Sequence, residues 1–141
     1  LLAPLLDGDY EVTDLDRIYA IEIDETRVQV TASRFPDITV IRDDFLRVPA
    51  FKWMRIFDTI VMNPPFVKGS EYDHILGAIA LLKDGGQLVS IAPAGIMFRE
   101  SKRAVELRDR VSDLGGYIKP LPSGSFKSEG TSIETCLVLI P

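Results

Sequence analysis

The sequence is poor in the residues that most often crosslink small proteins. Its single cysteine, Cys136, has no intrachain partner for a disulfide, and with His74 as the single histidine no zinc cluster of usual composition can be assembled. No metal site is expected, and such sparing thiol usage fits a reducing cytosol, so the expected location is cytoplasmic. No apolar run approaches the roughly 20 residues that cross a bilayer, and no membrane partner is expected. The opening LLAPLLDGDY has neither the basic region nor the cleavage site of a secretory signal. The chain is also no polycation. Its formal charge of −5 argues against strong non-specific nucleic-acid binding. What is present is 141 residues with 46% apolar and 26% charged content, read as one globular domain over residues 1–141.

The charge is unevenly placed. Residues 1–44 carry eleven acids against four bases, whereas residues 97–127 carry seven bases against four acids. A local basic face towards the C-terminus is compatible with phosphate contacts through Arg99, Lys102, Arg103, Arg108, Arg110, Lys119 and Lys127. Helix-surface charge that keeps the protein soluble is the more ordinary explanation.

Short apolar runs alternate with helical patterns. Arg17–Ile23, Asp37–Ile41, Phe57–Met62 and Gln87–Ala92 read as strands covered on both faces, with Glu134–Ile140 as a fifth and Gly116–Leu121 as a short sixth. Helices are expected from Asp24 to about Arg34, over Glu71–Lys83 and over Arg99–Leu114, the last two stopped by Gly85-Gly86 and Gly115-Gly116. This alternation predicts an α/β fold with a mostly parallel sheet flanked by helices. In open sheets of this kind ligands bind outside the carboxyl ends of the strands. Three such ends carry polar groups: Glu22 with Asp24, Asp43 with Asp44, and Asn63.

The sharpest local feature is Asn63-Pro64-Pro65-Phe66, directly after the strand FDTIVM. Two prolines fix two φ angles and remove two donors, and Asn63, preceding a proline, is pushed towards an extended conformation. The Asn63 side-chain oxygen and the Pro64 carbonyl are then two acceptors on a stiff loop. An exocyclic amine on a base is a poor nucleophile because its lone pair is delocalised into the ring. Two acceptors holding its N–H groups favour a more tetrahedral nitrogen and stabilise the positive charge that develops on attack. Phe66 offers a ring face for stacking, worth about 1–3 kcal/mol per base. The plain alternative is a proline-rich turn whose phenylalanine plugs the core.

IVMNPPF resembles the catalytic motif of the class I S-adenosylmethionine-dependent amino-methyltransferases, and most nearly that of the N6-adenine DNA methylases carried by phages and plasmids. The similarity continues through Asp73-His74, LLKDGGQLVSIAP and the ending LPSGSFKSEGTSIETCLVLI, with Phe126, Gly130 and Thr131 in register. The resemblance implies a Rossmann-like fold and the transfer of a methyl group from S-adenosyl-L-methionine to the N6 amine of adenine in DNA. By position it implies cofactor contacts from Glu22, Ile23, Asp44 and Phe45, catalytic roles for Asn63, Pro64, Pro65 and Phe66, and substrate contacts from Phe126, Lys127 and His74. Capping is the preferred reading of Asp24 over ligation, and Asp43 stands behind Asp44 as a turn residue. Phe45 and Phe126 fit a core as well as a ligand pocket. His74 reads as structural or substrate-positioning, since amine methylation needs no strong base. Cys136 reads as a buried strand residue.

NPPF is shared with RNA adenine and guanine methylases, so structured RNA is the alternative substrate. Glutamine-amide methylation is weaker, because relatives of that kind carry tyrosine where this chain has Phe66. A non-catalytic subunit that keeps the fold and binds nucleic acid or a partner is the non-enzymatic alternative. The family's first strand and glycine-rich cofactor loop have no counterpart in the sequence, where no G-x-G follows a strand. In the resembled fold that strand lies mid-sheet, so the expectation is two half-sheets and an incomplete catalyst. A longer parent protein is the favoured explanation, ahead of a second chain or a homodimer that completes the sheet.

Overall fold

A computed structural model describes residues 18–48, 53–67, 69–125 and 133–141. The chain divides into two compact units, Leu1–Pro49 and Ala50–Pro141. The described strands form two sheets, one of two strands and one of four. Two separate sheets are the division expected from the sequence.

In the first unit, β1 (Tyr19–Glu22) leads through α1 (Glu25–Arg34) to β2 (Thr39–Arg42), which pairs parallel to β1 with Glu22 opposite Arg42. Asp24 starts the helix as expected, its Oδ1 accepting from the Arg27 amide at 2.9 Å. The apolar residues of α1 are only partly periodic, and none of its residues is buried. Ile38, just before β2, is the buried apolar residue of this unit among the described residues.

The second unit holds most of the core. β3 (Phe57–Met62) runs parallel to β4 (Leu82–Pro93), and β6 (Thr135–Ile140) is antiparallel to both β4 and β5 (Tyr117–Pro120), giving the order β3-β4-β6-β5. Leu88, Ala92, Cys136 and Val138 are buried in the middle of this sheet. Helix α2 (Ser70–Leu81) buries Ile75, Ala78 and Ile79, and α3 (Lys102–Asp113) buries Ala104, Leu107 and Val111, the three-and-four spacing of a single helix face. The Arg103 guanidinium donates to Asp73 Oδ2 at 2.6 Å and links the two helices. Burial raises the Cys136 thiol pKa to about 11, consistent with an inert strand residue.

Two boundaries depart from expectation. Helix α2 stops at Leu81, two residues before the expected end, because Leu82 turns extended and pairs with Phe57; the register then shifts so that Thr59 faces Gln87. Gly85 takes a left-handed φ of 74° inside this irregular stretch, and a side chain on Gly86 would come within 3.0 Å of the Phe57 and Lys83 carbonyls. Helix α3 begins at Lys102 rather than Arg99. Ser101 is its N-cap, and residues 94–97 form a short 3-10 turn instead.

Candidate active site

The polar strand ends of the first unit are locally organised. Glu22 Oε1 accepts from the amides of Ile23 at 2.9 Å and Asp24 at 3.0 Å, while its Oε2 lies 3.8 Å from Arg27 Nη1. Asp44 has a similar division of labour. Its Oδ1 accepts from the Leu46 amide at 3.0 Å and caps a 3-10 turn over Phe45–Arg47, while Oδ2 lies 3.9 Å from Arg47 Nε. Each carboxylate is therefore oriented by one oxygen and presents the other as an acceptor. The turn cap expected of Asp43 is supplied by Asp44 instead, and Asp43 Oδ1 accepts from the Asp44 amide at 2.7 Å. The Asp43 amide donates to the Glu22 carbonyl at 3.2 Å, which brings the ends of β1 and β2 together. Phe45 is half-buried, and Ile23 is 66% exposed.

The Asn63–Phe66 loop follows β3 at the carboxyl end of the four-stranded sheet. Pro64 is buried, Phe66 is half-buried, and Asn63 and Pro65 are exposed. The peptide bonds of the loop are trans. The Asn63 side-chain amide has no hydrogen-bond partner among the described residues. The loop's far side is tied to helix α2. Ser70 Oγ donates to the Pro65 carbonyl at 3.2 Å, and the Ser70 amide donates to the Val67 carbonyl at 2.9 Å. Gly69, with φ 82°, makes the left-handed turn that brings Ser70 into this position.

His74 is 8% exposed, and its Nδ1 lies 2.7 Å from the Ser70 carbonyl oxygen, one helical turn back. Donation from Nδ1 continues the line from His74 through Ser70 to Pro65. Residues that the sequence did not single out belong to this group as well. Besides Ser70, Glu71 is 2% exposed and Tyr72 4%, and Glu71 Oε2 and the Tyr72 hydroxyl have no hydrogen-bond partner among the described residues. Such orphaned groups cost about 1–3 kcal/mol each, an expense partly offset for Glu71 by its place in the first turn of α2. The detectable signal was an acid, Glu71, three residues before the histidine and so on the same helix face.

Phe126 and Lys127, expected to wall the target pocket, lie outside the described residues, as do Gly130 and Thr131. No group of three or more metal-ligating side chains converges among the described residues, and no described helix is long and apolar enough to cross a membrane.

No family model matches the chain. Over 44 residues it is 39% identical to the rRNA N(6)-adenosine-methyltransferase Mettl5 of Drosophila melanogaster, an alignment covering 31% of this chain and 21% of that protein. In structure it is similar to the methyltransferase subunit of a type I restriction-modification system from Streptococcus thermophilus, with a TM-score of 0.68 at 18% identity over 86% of this chain and 33% of that one. It is also similar to a Listeria monocytogenes protein assigned to the class I S-adenosylmethionine-dependent methyltransferases, with a TM-score of 0.67 at 16% identity over 98% of this chain and 47% of that one. The fold is that of the class I methyltransferases. The chain spans a third of the restriction-modification subunit, 33%, and about a fifth of the fly protein, 21%.

Proposed function

We propose that this chain carries the target-binding loop and adenosine-binding carboxylates of an S-adenosylmethionine-dependent methyltransferase that acts on the N6 amine of adenine in DNA. The observation that carries this reading is the Asn63 amide, exposed and without a hydrogen-bond partner among the described residues, on a loop stiffened by two prolines and tied to α2 through Pro65. DNA as the substrate class is supported by the likeness to a restriction-modification methyltransferase subunit. The acceptors of the first unit fit the cofactor. Glu22 Oε2 suits the ribose hydroxyls and Asp44 Oδ2 the adenine amine, because each carboxylate is already held in place by its other oxygen. Ile23 and Phe45 supply apolar surface for the ring.

S-adenosylmethionine supplies, when bound, an electrophilic methyl carbon on a sulfonium that departs as a neutral thioether. The protein's task is to make an amine nucleophilic. Asn63 Oδ1 and the Pro64 carbonyl accept from the two N6–H groups and draw the lone pair out of conjugation, and Phe66 stacks on the base. After attack the nitrogen carries the extra positive charge and loses a proton to solvent, so His74 is not needed as a base. A target adenine in duplex DNA must be flipped out to reach the loop.

Structured RNA is the second reading, favoured by the 39% identity to an rRNA methyltransferase over 44 residues. The test is nucleoside mass spectrometry after incubating the whole protein with S-adenosylmethionine and either duplex DNA or ribosomal RNA. N6-methyladenine in the DNA supports the first reading, and N6-methyladenosine in the RNA alone supports the second. A methyl group on another atom overturns both.

A further inference from the structure

The turn that follows β4 presents an aromatic ring where the loop after β3 presents Asn63. Because β3 and β4 are parallel, with Met62 opposite Ser90, both turns leave the same end of the sheet. At that end Phe98 is 69% exposed. An aromatic ring so open to water is unusual for packing, since its burial would otherwise stabilise the fold. Its turn is held firmly. Arg108 Nη1 donates to the carbonyls of Ile96 at 2.8 Å and Arg99 at 2.7 Å, on either side of Phe98, and the amides of Phe98 and Arg99 both donate to the Gly95 carbonyl.

The charges beside the ring favour one kind of partner. The Arg99 guanidinium lies against Gly95, where an added Cβ would meet Nε at 2.8 Å, so the side chain rests on the turn. Neither Arg99 nor Lys102 is in an ion pair among the described residues, whereas Arg103 is engaged by Asp73 and Glu100 lies 3.9 Å from Arg108. An exposed ring on a fixed turn, followed within four residues by two cations in no ion pair among the described residues, matches a nucleotide, whose base stacks and whose phosphate is anionic.

We infer that Phe98, with Arg99 and Lys102, forms a stacking platform for a nucleotide flanking the one held at Asn63–Phe66. This inference rests on the nucleic-acid reading of the site. Phe98 takes the face of an unstacked base, and the two cations take the adjoining phosphates. Arg108 is a positioning residue that holds the turn.

Fluorescence anisotropy with a labelled single-stranded DNA oligonucleotide tests the platform, using the full chain and a salt series. Phe98→Ala is expected to weaken binding about tenfold, whereas Phe98→Trp keeps it. Arg99→Ala is expected to flatten the slope of log affinity against log salt by somewhat less than one. Thermal unfolding of Phe98→Ala should match wild type, because the ring is exposed. Equal binding by wild type and Phe98→Ala overturns the platform and leaves the reading of Asn63 intact. Failure of the wild-type chain to bind the oligonucleotide at low salt overturns both.

Discussion

The two units orient their chemistry by different means. In the first, Glu22 and Asp44 are set by hydrogen bonds to amides one or two residues away, and no residue of α1 is buried. In the second, the Asn63–Phe66 loop stands on a buried sheet and is tied to a helix whose inner face is packed. Local hydrogen bonds suffice to aim a carboxylate at a hydroxyl or amine. The proposed role of the loop, holding the two N–H groups of an attacking amine, needs neighbours that do not move, and a core supplies them.

Breaking the core should therefore show the contrast most strongly. Leu107→Ala, at a fully buried position, is expected to destabilise the second unit by about 2–5 kcal/mol in urea unfolding, whereas Val30→Ala on exposed α1 should cost well under 1 kcal/mol. Gly116→Ala comes next. Its Cβ would overlap the Leu139 carbonyl oxygen and lie 2.9 Å from that of Val111, so a loss of about 1–3 kcal/mol is expected from the same measurement. Ser70→Ala sharpens the comparison at the loop itself. It removes the hydrogen bond to Pro65, for about 0.5–1.5 kcal/mol, and should lower methylation more than it lowers stability. Asp24→Ala in the first unit should cost about 1 kcal/mol as a lost helix cap, read by amide exchange in α1.

Cys136 adds a pH test confined to the second unit. Its thiol is raised from 9.0 to about 11 in the folded chain. Between those values the unfolded chain has lost the proton and the folded chain keeps it. The Cys136 contribution to stability is therefore complete below about pH 9 and is lost as pH rises towards 11. Replacing it in Cys136→Ala should flatten the pH dependence of unfolding over that window.

Much of this organisation was legible where apolar pattern alone decides. β3 coincides with the expected Phe57–Met62 run, and the helix expected before Gly115-Gly116 buries Ala104, Leu107 and Val111 on one face. Asp24 capped its helix because short-range capping needs no tertiary information. The misread boundaries lie where tertiary contacts override local preference. Helix propensity continues through Leu82-Lys83, but pairing of Leu82 with Phe57 pulls that segment into the sheet. The stretch from Arg99 reads as helix, yet Arg108 ties up the Ile96 and Arg99 carbonyls from a position nine or more residues away. The loop NPPF was legible from its prolines. Ser70, Glu71 and Phe98 were not, because their significance is a hydrogen bond, a buried orphan and an exposure, none of which a residue name discloses.

Asn63→Ala in the whole protein is the most direct test of the proposed role of the loop. Adenine methylation should fall on the order of 100-fold, while S-adenosylmethionine affinity measured by calorimetry stays unchanged, because the carboxylates proposed to hold the cofactor belong to the other unit. Wild-type turnover in Asn63→Ala would contradict the proposal that this loop prepares the amine for attack.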